Sequence, residues 1–466
     1  LGAVVALRRM LSPALSTFLN DPDSLVLIET ARAIHDDQSV PQALPFLAQS
    51  LLDGKTHHEA FIRRAINANL RLGDAASASR LSTYSRLADA PKEMKIDALW
   101  ALGYWQNPPL LDRVEGRYRK LVIDDSQAAT KAFDAVATDL LNHKDLEIRT
   151  AAIQAVGRLK YQKAEDLLVN NSLQRSQPLP IRRASLNSLA MIESASLERV
   201  IRACLEDPQL ALRTDAQDLM ASVDLPASFV VDMISKTLKS SSIPEKQKVL
   251  SSLAKISEPE AESLMSQLLS DLINGNLELS LQLDLIQSIE NSTFSNLQQR
   301  LSEFQAGRES KPVMDRYQET LAGGNPEKGR QLFYNDNSAQ CVRCHKLGAS
   351  GGDVGPNLDG IAHVLNAKDM LLALIEPSDR LAPGFGTINL ELSDGSSVVG
   401  VTAAETQDSV RLVTSDGLHQ SYSNAQITKK WYLPSSMPNM QTVLSKSEIR
   451  DLVAFLLEQR SDPNAN

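Results

Sequence analysis

Three stretches of this chain repeat one another: Leu146-Glu-Ile-Arg-Thr-Ala-Ala-Ile-Gln-Ala-Val-Gly157, Leu179-Pro-Ile-Arg-Arg-Ala-Ser-Leu-Asn-Ser-Leu-Ala190 and Leu210-Ala-Leu-Arg-Thr-Asp-Ala-Gln-Asp-Leu-Met220. The steps from Ile148 to Ile181 to Leu212 are 33 and 31 residues, near the period of a two-helix repeat. Related units occur at Asp23-Ser-Leu-Val-Leu-Ile-Glu-Thr-Ala-Arg-Ala-Ile34, at Met94-Lys-Ile-Asp-Ala-Leu-Trp-Ala-Leu102 and around Lys246 to Ile256. Across residues 1–310 apolar positions fall at helical spacing, with short Asp/Pro/Asn/Gly punctuation and no strand alternation. One helix pair cannot bury its apolar face alone, so neighbours must stack, and residues 1–320 are expected to form an α-solenoid. Residues 107–125, with Pro108-Pro109, interrupt the period and read as a surface insertion. A solenoid of this kind serves either as a rigid spacer or as a partner-binding surface.

The mixture of small and large apolar residues in these units resembles HEAT-type helix pairs. With 466 residues, 42% of them hydrophobic and 23% charged, the chain can bury cores in two or more globular domains. A net charge of -9 without a long basic run argues against nucleic acid as a partner. No apolar segment approaches the length of a membrane span. The opening Leu1-Gly-Ala-Val-Val-Ala-Leu-Arg-Arg-Met10 lacks an initiator Met, a basic leader and a cleavage site. The sequence is therefore expected to be the C-terminal part of a longer precursor.

Cys341-Val342-Arg343-Cys344-His345 occurs once in a chain with only three Cys and seven His. Two sulfurs three positions apart can form thioethers to the vinyl groups of one haem, with the adjacent imidazole as the fifth iron ligand. The motif thus predicts a single covalent haem c. A zinc site would need further ligands, and the remaining cysteine, Cys204, lies in a helical region and reads as an ordinary buried thiol. Covalent haem attachment takes place outside the bacterial cytoplasm, so a periplasmic or exported location is expected.

A boundary falls near Ala322-Gly-Gly-Asn325, giving an expected second domain over 324–466. Asn325 and Pro326 suit the start of a helix that carries Gly329 and Phe333 on one face. Near the other end, Ser445 and Glu448 make a capping box, Leu444 and Ile449 a hydrophobic staple, and Ile449, Leu452, Val453 and Leu456 an apolar stripe. Packing of the first of these helices on the last resembles a class I cytochrome c. That resemblance implies that the carbonyl of Pro356, which follows the loop of Gly348, Gly351, Gly352 and Gly355, orients the His345 imidazole. The alternative is a proline that only turns the chain. It also implies that Met437, in the loop before the last helix, is the sixth iron ligand, a pairing suited to electron transfer. Met440 and a bis-histidine site using His363 are competitors, and Met370 reads as core. Residues 384–431 read as a small antiparallel β insertion: Ile388, Leu390 and Leu392 alternate, Val399 and Val401 continue, Val410 and Leu412 follow, and turns fall at Asp394-Gly395 and Asp416-Gly417. Trp431 is a candidate partner for a haem propionate, or a packing residue of the insertion.

The whole chain resembles the bacterial PVC-type haem-binding CxxCH proteins, often labelled membrane-bound dehydrogenases. The likeness rests on Ala31-Arg-Ala-Ile-His-Asp36, Arg63-Arg64-Ala65, Asn69-Leu-Arg-Leu-Gly73, the Cys341 to His345 motif, Gly355-Pro-Asn-Leu358 and Met437-Pro438. In that family a sugar-dehydrogenase-like β-propeller often precedes the repeats; none lies within this sequence. The resemblance implies an electron carrier rather than an enzyme, passing electrons from a dehydrogenase domain or partner to a downstream cytochrome or other acceptor. Two other classes fit the same residues: a peroxidase-like enzyme with an open iron, and a repeat scaffold with structural or sensory haem.

Overall fold

The computed structural model describes residues 1–36, 39–335, 339–382 and 384–460 together with Gln38, leaving out Asp37, residues 336–338, Pro383 and residues 461–466. It is mainly helical, with one small antiparallel sheet. The chain divides into two compact units, 1–225 and 226–466.

In the first unit, helices Glu59–Leu72, Lys92–Gly103, Leu146–Arg158, Leu179–Met191 and Leu210–Ser222 lie in a row, each packed on the next. Helices Glu165–Leu173 and Leu197–Leu205 run behind this row. The sequence sets the ends. Asp74 and Asp145 accept hydrogen bonds from the first free backbone N–H groups of their helices, and Gly73, at φ +66°, closes Glu59–Leu72 in a left-handed turn. It also sets how closely the row packs. A Cβ on Gly157 would stand 2.9 Å from the Cα of Ser188, and the Ser188 hydroxyl donates to the Ile153 carbonyl at 2.8 Å. Small residues at this crossing let successive repeats come nearly into backbone contact.

The second unit begins with helices of the same kind. Ala227–Ser240, Pro259–Ile273 and Ser295–Glu309 form one row, and Ile243–Leu253 and Leu279–Glu290 another. The change of pattern near Gly323 lies inside this unit, not between units. Helix Pro326–Asn335 crosses helix Lys446–Leu457 at Gly329, where a Cβ would collide with the Asp451 carbonyl and stand 2.7 Å from the Phe455 Cβ. Phe333 and Phe455 meet beside the crossing with centroids 5.7 Å apart, and Ile449, Leu452 and Val453 are fully buried in the same core with Leu371, Leu374 and Met440. Asn325 caps Pro326–Asn335 through the Lys328 N–H at 3.1 Å, and Ser445 and Glu448 form the expected reciprocal cap.

Helix Lys446–Leu457 is also held by the repeats of its own unit. Glu319, 1% exposed, accepts from Arg308 at 2.7 Å and from Lys446 at 2.5 Å. Arg450 pairs with Asp284 at 2.7 Å, and Gln287 donates to the Ser447 hydroxyl at 2.8 Å.

The β insertion is a five-stranded antiparallel sheet of β1 (Thr387–Leu392), β2 (Ser397–Glu405), β3 (Ser409–Val413), β4 (His419–Ser423) and β5 (Ile427–Tyr432), in the order β4-β3-β2-β1-β5. Ile388, Leu390, Val410 and Leu412 form its core, as the alternation predicts. On β2 the expectation fails. Val399 is exposed and Gly400 and Thr402 face inward, because the Leu412 side chain occupies the space that a Cβ on Gly400 would need, 2.6 Å away. A bulge at Thr402/Ala404 then shifts the register with β3.

Candidate cofactor site

Cys341–Cys344 is a single helical turn, and the following chain folds back to complete it. The His345 N–H donates to the Cys341 carbonyl at 2.9 Å. Backbone N–H groups of Gly352, Gly355 and Leu358 donate to the carbonyls of Val342, Cys344 and Lys346 at 3.1, 2.7 and 2.9 Å, satisfying groups that a one-turn helix leaves open. This return is tight enough to require glycine. A Cβ on Gly351 (φ +117°) would collide with the His345 carbonyl, and one on Gly352 with that of Arg343.

The imidazole of His345 is fixed by the same loop. Its Nδ1 lies 2.9 Å from the Pro356 carbonyl oxygen. A carbonyl only accepts, so Nδ1 carries a proton, and the neutral ring has its lone pair at Nε2. Gly355 lies against the ring, where a Cβ would approach its atoms to between 2.7 and 3.1 Å. Cys344 is exposed and Cys341 half-buried. The donor set is therefore two accessible or partly accessible sulfurs and an imidazole with one bare nitrogen. Among the described residues, the ligand atoms of Cys341, Cys344 and His345 do not gather within 4.8 Å of one another.

Met437 is half-buried and packs on the same apolar core as Cys341, Val342, Leu358, Ile361 and Leu365. Met440 and Met370 are 3% and 2% exposed inside that core, and the exposed His363 bonds through Nε2 to the Arg460 carbonyl. Trp431 lies half-buried on edge strand β5 with the Lys429 ammonium 4.9 Å from its ring centre. Cys204 is 1% exposed, and burial pushes its thiol pKa up to about 12, so it is an inert core residue.

The first unit holds a second polar cluster, which sequence reasoning missed. Residues 107–125, read as a surface insertion, instead send Asp112 and Glu115 inward. Arg71 donates to Asp112 at 2.6 Å, to Glu115 at 3.0 Å and to the His35 carbonyl at 2.6 Å. Arg64 grips Asp36 with two bonds of 2.8 Å, and Arg119 donates to Glu115 at 2.9 Å. His35, fully buried, bonds to Asp36 through Nδ1 at 2.8 Å and to Asn67 through Nε2 at 2.9 Å. Burial alone would raise the Asp36 carboxyl pKa, but hydrogen bonds from His35 and Arg64 and the Arg64 charge hold it well below the usual carboxylate range. Asp112 is likewise lowered, with burial outweighed by Arg71 and by the N–H groups of Val114 and Glu115. His35, Asp36 and Glu115 could meet a metal ion, yet three arginines already neutralise the three carboxylates. A dication there would face uncompensated positive charge, so the cluster reads as structural. The signal in the sequence was the alternation of charges in Asp112-Arg-Val-Glu-Gly-Arg-Tyr-Arg119, too polar to suggest burial.

Among the described residues, no helix is long and apolar enough to cross a membrane. No family model and no curated protein matches the chain. Among solved structures it is similar to the complex of CpcE and CpcF of phycocyanin lyase from Nostoc sp. PCC7120, at 15% identity over 64% of this chain and 94% of that one, with a TM-score of 0.27. It is also similar to human deoxyhypusine hydroxylase in complex with glycerol, at 13% identity over 62% of this chain and 97% of that one, with a TM-score of 0.24. At these scores neither likeness bears on chemistry.

Proposed function

We propose that this chain is a c-type cytochrome electron-transfer module on a helical-repeat scaffold, carrying one haem at Cys341, Cys344 and His345. The observation that carries the reading is the Nδ1 hydrogen bond from His345 to Pro356, which leaves Nε2, among the described residues, without a partner in a ring that directly follows Cys344 in the chain. In this reading the sulfurs of Cys341 and Cys344 hold the group covalently and Nε2 of His345 binds the iron. The Pro356 carbonyl and Gly355 keep the imidazole in one orientation, and Met437 would supply a second protein ligand. A haem held in this way supplies one-electron redox chemistry, with a potential set by its axial ligands and surroundings. The protein residues would bind and orient it, and the partly buried Val342, Leu358, Ile361 and Leu365, packed on the same core as Cys341 and Met437, would supply apolar surroundings. Electrons would pass from a dehydrogenase domain or partner to a downstream carrier, in the periplasm or another exported location, as in the PVC-type CxxCH proteins that the sequence resembles.

The test is production in a host that attaches haem c. The peptide spanning Cys341 and Cys344 is expected to gain the mass of one haem, and the ferric protein to show the long-wavelength band of thioether-to-iron charge transfer. A colourless protein with an unmodified peptide overturns the proposal. A haem protein without that band keeps the attachment but removes Met437 as ligand.

A further inference from the structure

The segment that carries Met437 is tied on both sides to one place, the C-terminal end of helix Ala367–Ile375. Upstream, the Ser435 N–H donates to the Ser378 hydroxyl at 3.0 Å. Downstream, the Gln441 side-chain amide donates to the Ile375 carbonyl at 3.1 Å. Ile375 is the last residue of its helix and fully buried, so its carbonyl is one of those that a helix end leaves without an internal partner. Between the tethers the chain is stiffened locally. The Met437 N–H donates to the Ser435 hydroxyl at 3.1 Å, the Asn439 side chain accepts from the Gln441 N–H at 2.9 Å, and the Thr442 hydroxyl donates to the Asn439 carbonyl at 2.8 Å. Pro434 and Pro438 restrict the backbone on either side of the methionine. Met440, beside Gln441, anchors the downstream end in the core.

We propose that Ser378 and Gln441 are positioning residues: with the Ser435 N–H and the Ile375 carbonyl they strap the methionine loop across the end of helix Ala367–Ile375 and so hold the Met437 thioether in place as a ligand. The proposal rests on the haem reading of the site. A thioether is a neutral ligand, and water, hydroxide or added imidazole can replace it once its loop swings away. Each tether lowers the population of that open form, because a loop already held in its bound conformation loses less freedom when the ligand bond forms. The upstream tether also joins the two stems of the β insertion, which leaves the helical part after Ser378 and rejoins it at Ser435. The sheet is thereby mechanically continuous with the methionine loop.

The experiment uses the full chain with attached haem and measures the affinity of the ferric protein for imidazole, the thioether charge-transfer band and the midpoint potential. Gln441→Ala is expected to bind imidazole roughly two- to tenfold more tightly than the parent, the effect of losing one net hydrogen bond. Ser378→Ala, which removes the hydroxyl that the Ser435 N–H reaches, should move in the same direction by less, and Ser378→Thr, which keeps that hydroxyl, should behave as the parent. In haem-free protein, exchange of the Met437 amide hydrogen should quicken in Ser435→Ala. A residue that served folding alone would lower the melting temperature without changing imidazole affinity. Unchanged affinity and potential in Gln441→Ala and Ser378→Ala, while Met437→Ala abolishes the band, overturn the strap and leave the haem site standing. A parent protein without attached haem, or one whose spectrum Met437→Ala leaves unaltered, overturns the haem reading and the strap with it.

Discussion

Two histidines, one in each unit, are both held by oxygen atoms, and the difference between them separates structure from chemistry. His35 is fully buried and both ring nitrogens are consumed, one by Asp36 and the other by Asn67. His345 is half-exposed, spends Nδ1 on Pro356, and among the described residues has no hydrogen-bond partner at Nε2. The first is a cross-brace between elements distant in sequence. The second is a ring oriented from behind with one nitrogen left over, as the proposed ligand role requires. Counting which lone pairs and protons are already used distinguished the two sites; burial or the presence of neighbouring acids alone would have favoured His35.

The largest expected effect comes from cutting the brace. Arg71→Ala leaves Asp112 buried without its cation and should destabilise the first unit by about 3–5 kcal/mol. Denaturant unfolding followed by hydrogen exchange should place the loss within residues 1–225, with haem attachment unchanged. Equal loosening of both units would break the comparison. Next is the oriented ligand. Gly355→Ala puts a Cβ 2.7 Å from the His345 ring, and should cost about 1–3 kcal/mol in the second unit as the ring or the loop yields. In haem-loaded protein it should also shift the midpoint potential, whereas a packing-only role for this glycine would show in the melting temperature alone.

The smallest effect is in pH. Asp36 has a lowered pKa in the folded protein, so the stability that it contributes is present above its unfolded value, about 3.9, and is lost as the pH falls through the folded value. Asp36→Asn should therefore be less stable than the parent at neutral pH, with the gap closing below pH about 4. A gap that stays constant down to strong acid would mean that Asp36 acts through shape rather than charge. Asp451, in the second unit, has the opposite sign. Burial raises its carboxyl pKa, so its protonation favours the folded state as the pH falls.

Much of this molecule was legible in the sequence where one short segment carries the whole signal. The aligned repeats gave the helix rows, Gly329 and Phe333 gave the helix crossing, and Ser445 with Glu448 gave the cap. The link between His345 and Pro356 spans eleven residues, and its expectation came from the resemblance to cytochromes c, with a proline that only turns the chain as the alternative. What was not legible depends on partners far apart. Arg71 and Asp112 are 41 residues apart, and each alone looks like a surface residue. The Gly-Gly pair before Asn325 read as a domain boundary, because helical periodicity stops there. In three dimensions a Cβ on Gly323 would collide with the Ser280 carbonyl, and one on Gly324 with that of Arg450, so these are contact points of packed helices. On β2 a valine pattern pointed to the wrong face, because the choice is made by a leucine on the neighbouring strand.

The ion pairs on helix Lys446–Leu457 bear on the order of events during synthesis. Lys446 and Arg450 reach back 127 and 166 residues to acids on repeats that leave the ribosome much earlier. Glu319 can pair with Arg308 at once, but Asp284 must wait for Arg450 and Glu319 for its second cation, so the second unit completes these buried pairs only when its final helix arrives.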